Sequence, residues 1–188
     1  GQTGCGKTHT MMGNPDSQDE MGIIPRTFAH CRSIICSEKN KRFLLKASYL
    51  EIYNECVFDL LTEKRLKLDL KEDANKGVYV KDLTIHQVNT LDEMRKIMEI
   101  GNQSRTVGAT SMNQDSSRSH SIFTLYVEAS EEIDGKSRYT SAKLSLVDLA
   151  GSERATKTNA KGDRLKEGTM INLSLSALGN VIQALVDG

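Results

Sequence analysis

With 188 residues, 25 Lys+Arg balanced by 25 Asp+Glu, 38% hydrophobic and 27% charged residues, the chain has the make-up of one globular domain of ordinary size. This balance excludes a disordered or fibrous chain. It also argues against whole-surface attraction to nucleic acid or an anionic membrane, while leaving room for a local basic patch. No apolar run approaches the roughly 20 residues of a membrane-spanning helix. Cys5, Cys31, Cys36 and Cys56 form no C-x-x-C pair, so neither zinc nor a disulfide framework is expected, and a reducing, cytosolic compartment is the simpler reading.

Gly1-Gln2-Thr3-Gly4-Cys5-Gly6-Lys7-Thr8 fits G-x-x-x-x-G-K-[ST], the phosphate-binding P-loop, at every required position. Its glycines let the backbone curl until successive N–H groups converge on one anion, and the helix that follows adds its positive N-terminal end. Lys7 is expected to reach the β- and γ-phosphates and the Thr8 hydroxyl to ligate Mg²⁺. A P-loop ordinarily follows a strand, and none precedes Gly1. The sequence therefore reads as a piece of a longer domain, truncated at both ends and unstable in isolation.

A short helix is expected from Thr8 to Met12, stopped by Gly13-Asn14-Pro15, with polar loop from Asp16 to Gly22. Pro25 suits the first turn of a second helix running to about Cys36, with Phe28, Cys31, Ile34 and Ile35 at helical spacing. After a charged turn at 39–42, the stretch Phe43–Tyr53 reads as a long strand. Short strands follow near 66–70 and 78–83, separated by the charged segment 71–76. Thr90 with Glu93 three residues later forms a capping box, opening a helix whose apolar face is Leu91, Met94, Ile97 and Met98, up to Gly101. Strands at 121–128 and 141–148 are joined through the hairpin signal Asp134-Gly135, and a final helix spans about 167–186. The pattern predicts an α/β fold, a P-loop NTPase-type mixed sheet flanked by helices.

Two further segments look like phosphate sensors. The strand 141–148 ends in Asp148 and runs into Leu149-Ala150-Gly151, the layout of a Walker-B strand entering D-x-x-G. Asp148 is expected to hold a water ligand of Mg²⁺, and Gly151 to bring a backbone N–H to the γ-phosphate. In Asn113-Gln114-Asp115-Ser116-Ser117-Arg118-Ser119-His120, hydroxyls crowd a guanidinium and an imidazole with almost no apolar side chain. Serine hydroxyls there can ligate Mg²⁺ and orient water, and Arg118 can pair with Glu153 in one arrangement of the two loops only. Three elements that each feel the γ-phosphate describe a hydrolytic switch.

In order and wording these motifs resemble the kinesin motor domain, over essentially the whole chain. Gly1–Met11 is similar to its P-loop, Asn113–His120 to its switch I and Asp148-Leu149-Ala150-Gly151-Ser152-Glu153 to its switch II. The stretches Tyr49–Glu55 and Asn172–Leu185 are also similar to family wording. Residues 23–25, 77–83, 164–167 and 184–188 most resemble the kinesin-2 group, which works in cilia. The resemblance implies ATP hydrolysis coupled to movement on microtubules by a partial motor domain, residues 1–188, that starts at the P-loop and ends after the relay helix. It places Gly1, Gln2, Thr3, Gly4, Cys5, Gly6, Lys7 and Thr8 around the phosphates and His9 against the adenine. It puts Thr8, Ser117 and, through water, Asp148 on Mg²⁺. Ser116 positions the attacking water, Gly151 reports the γ-phosphate, and Arg118 with Glu153 closes the site. The helix 167–186 becomes the relay helix facing tubulin.

The loop leading into that helix supports the same assignment. Arg154, Lys157, Lys161, Arg164 and Lys166 oppose only Asp163 and Glu167, a surplus of three positive charges suited to an acidic partner surface. Lys81 is expected to be a second microtubule contact. Expected partners are therefore microtubules, with no nucleic acid, no membrane insertion and dimerisation outside these residues. The expected location is the cytoplasm and cytoskeleton, extending to the cilium or flagellum. Two other readings remain open. A GTPase would share D-x-x-G, yet neither Asn40-Lys41 nor Asn75-Lys76 continues as N-K-x-D. A nucleotide-gated microtubule-binding module without hydrolysis would not need Ser116, Ser117, Arg118 and Glu153 intact.

Overall fold

The computed structural model describes residues 2–14, 17–64, 66–74, 77–112, 116–152 and 163–187, and side chains outside 107–112, 116 and 163–167. Helices α1 (Lys7–Met12) and α2 (Ile23–Ser37) precede strands β1 (Lys41–Tyr53), β2 (Cys56–Asp59), β3 (Lys67–Leu68), β4 (Leu70–Asp73), β5 (Gly77–Val80) and β6 (His86–Gln87). Helix α3 (Leu91–Met112) leads through a 3-10 turn (Ser116–Arg118) to β7 (His120–Ile133), β8 (Lys136–Asp148) and helix α4 (Asp163–Asp187). The main sheet runs β3-β2-β1-β7-β8, with β6 also on β1, and β4-β5 forms a separate hairpin. Every pairing among the described residues is antiparallel.

Several elements run further than the sequence pattern predicts, because ladders continue where side chains give no hydrophobic cue. Lys41 and Arg42 open β1 instead of forming a turn, since they oppose Glu131 and Ser130 and Lys41 pairs with Glu131 at 3.5 Å. The Asp134-Gly135 turn forms as expected, with φ of 52° and 72°, and the ladder zips down to Ile133↔Lys136. Strand β2 is unforeseen. It folds back on β1 through Asn54-Glu55, both at positive φ (48° and 59°), a turn type that a non-glycine pair seldom signals. The charged 71–73 segment does not separate strands but lies in β4, with Lys71 opposite Tyr79. Helix α4 starts at Asp163, four residues ahead of Glu167. Its stretch Gly168–Asp187 is, by length and composition, long and apolar enough to cross a membrane, with a mean hydropathy of 1.4. The sequence shows no unbroken apolar run there because Asn172, Ser174, Ser176, Asn180 and Gln183 interrupt it.

One face of the sheet carries the core. Leu45, Ala47 and Tyr49 of β1 and Phe123 and Leu125 of β7 pack against Ile24 and Phe28 of α2 and Met94, Ile97 and Met98 of α3. Tyr49 and Phe123, cross-strand partners, meet edge to face with ring centroids 5.6 Å apart at 66°. The capping box forms in full: the Glu93 amide donates to Thr90 Oγ1 (3.1 Å), while Glu93 Oε2 accepts from the amides of Thr90 (3.3 Å) and Asn89 (2.6 Å). Between α1, the following loop and α3 lies a cavity of about 820 Å³, lined by Met12, Met21, Pro25, Met98 and Asn102 among others, apart from the phosphate loop.

Helix α3 does not stop at Gly101. That glycine lies against β1, and a Cβ there would collide with the ring of Tyr49. The ring cannot swing away, being fully buried, packed on Phe123 and tied through its hydroxyl to Asn102 Oδ1 at 3.1 Å. Gly101→Ala gains about 1 kcal/mol of helix propensity but overpacks a rigid core at a cost of roughly 1–3 kcal/mol. A net loss of stability is expected in urea denaturation; unchanged or higher stability would show that α3 has room to lift.

Candidate functional site

The P-loop turn is built on Gly4 and Gly6, whose φ of 79° and 83° side-chain-bearing residues rarely adopt. Gly6 caps α1 without a side-chain bond, so the first amides of the helix stay clear of side-chain caps. Lys7 Nζ folds back to donate to the Gln2 carbonyl at 2.8 Å and lies 3.9 Å from Cys5 Sγ. His9 is exposed on α1.

Folding brings the P-loop onto the end of β8. Thr8 Oγ1 donates to Asp148 Oδ2 at 2.7 Å, across 140 residues of chain. Asp148 is itself held from below. Arg105 of α3 places Nη1 3.4 Å from the same Oδ2, Nη2 3.3 Å from Ser119 Oγ and Nε 3.6 Å from Glu51 Oε1. Glu51, Ser121 and Asp148 occupy one level across β1, β7 and β8, as Glu51↔Ser121 and Ser121↔Asp148 pair. All three are buried, as is Arg105. Two carboxylates thus share one guanidinium, which makes burial of the charges tolerable.

The second carboxylate oxygen, Asp148 Oδ1, is buried and has no hydrogen-bond partner among the described residues. Together with the Thr8 hydroxyl it offers the hard oxygen donors that suit Mg²⁺. That ion binds through one or two protein oxygens, phosphate and water in preference to a protein cage. No cluster of three or more His, Cys, Asp or Glu that could form such a cage occurs among the described residues.

The two sensor loops also meet. The Gly151 amide donates to the Ser117 carbonyl at 2.6 Å, and the Ala150 amide donates to His120 Nδ1 at 3.1 Å. Burial lowers the His120 pKa below its ordinary range, against the pull of Glu55 and Asp148, so the neutral ring is favoured. Burial likewise raises the Tyr49 phenol pKa, keeping it a neutral donor. Ser117 and Arg118 lie on the 3-10 turn beside this junction. Lys81 is exposed in the turn after β5, with its amide on the Asp69 carbonyl (2.9 Å) and Nζ 3.9 Å from Asp82. Gly1, Glu153, Arg154, Lys157 and Lys161 lie outside the described residues, as do the side chains of Ser116 and Arg164.

Sequence reasoning brought Thr8, Asp148, Ser117 and Gly151 together but missed Arg105 and Glu51. A signal existed. Met94, Met98, Gly101 and Arg105 follow one another at steps of 4, 3 and 4 residues, so a charge stands on the core-facing stripe of α3. Ending the helix at Gly101 hid it.

A loop with the P-loop sequence, a carboxylate at the end of β8 and a second loop bonded to the D-x-x-G turn make up the layout of a P-loop fold. The whole chain, residues 1–188, matches the family model of the kinesin motor domain, and the protein belongs to that family. It is similar to the solved structure of a fast kinesin, one that bears on ATPase mechanism and interactions with microtubules. Identity is 45% and the TM-score 0.87, over 100% of this chain and 53% of that one. It is also similar to a KIF14 dimer in a two-heads-bound state, with AMP-PNP and in complex with a microtubule. There identity is 38% and the TM-score 0.83, over 100% of this chain and 54% of that one. The chain thus spans about half the length of these solved relatives.

Replacing Arg105 by Met leaves Glu51 and Asp148 buried without their shared cation. A loss of about 3–5 kcal/mol is expected, as for other broken buried pairs. Urea unfolding at unchanged slope measures it; a loss below about 1 kcal/mol would mean that the cluster is hydrated in solution.

Proposed function

We propose that the protein is a microtubule-dependent motor that hydrolyses ATP, with residues 1–188 forming part of its motor domain. The observation that carries this reading is the convergence of the P-loop, the Ser117 turn and the Gly151 turn around the Thr8–Asp148 contact. The proposal includes membership of the kinesin-2 group, supported by the wording of residues 23–25, 77–83 and 184–188, with work at microtubules of the cytoskeleton and cilium and dimerisation through other parts of the chain.

On this reading Gly4, Gly6 and Lys7 bind the phosphates, His9 lies against the adenine, and Thr8, Ser117 and, through water, Asp148 hold Mg²⁺. Mg²⁺ supplies charge neutralisation on the phosphate oxygens. The Gly151 amide has one proton to donate, and Ser117 O accepts it here at 2.6 Å. A γ-phosphate that takes the same proton must break the bond between the two loops, and that exchange is the sensing event. Ser116 positions the attacking water, and Arg118 with Glu153 holds the closed arrangement. Lys81, Arg154, Lys157, Lys161 and Arg164 face the acidic surface of tubulin. The hydroxyls and the Arg–Glu pair favour hydrolysis over a non-hydrolysing module, and the absence of N-K-x-D favours ATP over GTP.

Arg118→Ala and Glu153→Ala in the full-length protein should each slow single-turnover hydrolysis on the order of 100-fold while ATP still binds. The double variant should be scarcely worse, because each residue is useful only through its partner. Additive losses in log rate would refute the pair. Neutralising Lys157, Lys161 and Arg164 together should raise the microtubule concentration for half-maximal turnover, by a factor that shrinks as salt rises. A salt-independent change would place the loop away from tubulin.

A further inference from the structure

Four groups form one directed hydrogen-bond relay beneath the Gly151 turn. The Ala150 amide donates to His120 Nδ1 at 3.1 Å, His120 Nε2 lies 2.8 Å from Ser174 Oγ, and the Ser174 hydroxyl donates to the Ile171 carbonyl at 2.7 Å. The directions fix one another. Nδ1 accepts, so the neutral ring carries its proton on Nε2; the Ser174 proton is spent on Ile171, so Oγ accepts from Nε2. His120 opens β7, and successive strand residues point to opposite faces. Ser121 therefore joins the Glu51–Asp148 level under α3, while His120 points to the other face, where α4 meets it.

We propose that His120 is a positioning residue that couples the phosphate-sensing turn to helix α4, one ring nitrogen holding the Ala150 amide and the other holding Ser174. The inference rests on the motor reading above. Adjacent amides of the turn are both received by the 117–120 segment, Gly151 by Ser117 O and Ala150 by the His120 ring. A displacement of the Gly151 amide therefore shifts its neighbour, and the planar ring passes that shift to Ser174. In this tautomer the imidazole holds its acceptor and its donor at fixed positions on two edges of one rigid ring. A packing residue would need neither nitrogen.

Two near-isosteric variants split the relay. His120→Asn keeps an acceptor at the Nδ1 position and gives up Ser174; His120→Gln reaches Ser174 with its amide and gives up Ala150. In the full-length protein, His120→Asn should lower the ratio of microtubule-stimulated to basal ATPase about fivefold to tenfold, the weight of one buried hydrogen bond. Its KM for ATP should stay within about twofold. Ser174→Ala should cause the same loss alone and add nothing to His120→Asn. His120→Gln should instead raise the KM for ATP and speed amide exchange at Ala150 about fivefold, while His120→Asn leaves that exchange unchanged. Equal losses in both variants on every readout, or Ser174→Ala within twofold of the parent, would overturn the proposal. A parent protein without microtubule stimulation would overturn the motor reading, and exchange at Ala150 would then decide the inference alone: different rates in the two variants support it, equal rates refute it.

Discussion

The geometry of the site depends on the Arg105 guanidinium at the bottom of it. A carboxylate at the end of a strand can point anywhere its rotamers allow. Asp148 points at Thr8 because Arg105 grips the same oxygen and is itself held by Glu51 and Ser119. Each of these residues comes from a different element, so β1, α3, the segment before β7 and β8 are locked to one another through a single cation. The cost of burying three charges is large, and hydrophobic replacements of such clusters are often more stable. What the cluster provides is position: a buried carboxylate held against Thr8 at the end of β8.

The sheet divides the work between its faces. On the α3 side, the level Glu51–Ser121–Asp148 is buried, beside the Tyr49–Phe123 contact and the close approach at Gly101. On the other side, His120 and Ser174 join the turn to a helix whose described residues are exposed or half-buried. Consecutive residues of one strand, His120 and Ser121, thus serve a fixed face and a face linked to α4. This follows from the two-residue period of a strand.

Much of this was legible in the sequence because phosphate chemistry needs a fixed spacing. The P-loop, Asp148 with Gly151, and the Ser116–Arg118 cluster carry their meaning in local order, and the capping box at Thr90 marks the start of α3 to the residue. What stayed hidden is tertiary. Nothing local distinguishes Glu51 from other acids in a strand, and Arg105 stands out from a solvated helix arginine only once α3 is carried past Gly101 along its Met94–Met98 stripe. Strand β2 was missed for the reverse reason, a tight turn at Asn54-Glu55 lacking glycine. The ends of β7 and β8 run beyond the predicted strands because 129–140 is mostly polar, with only Ala129, Ile133 and Tyr139 apolar, and ladder hydrogen bonds extend a hairpin without regard to hydropathy.

The proposed switch also has an energetic scale. Contacts joining the two loops and α4 among the described residues include Gly151 to Ser117, Ala150 to His120, and His120 to Ser174. A net hydrogen bond contributes about 1 kcal/mol, so these three bonds together contribute roughly 3 kcal/mol, near a hundredfold in population. A triphosphate that competes for the Gly151 proton need supply only a few kcal/mol of differential binding to reverse that bias. The buried Arg105 cluster shares none of these bonds. On the proposed reading, the molecule thus combines a buried scaffold with a latch light enough to be thrown by one phosphate group, and the two adjoin at residues 119–121.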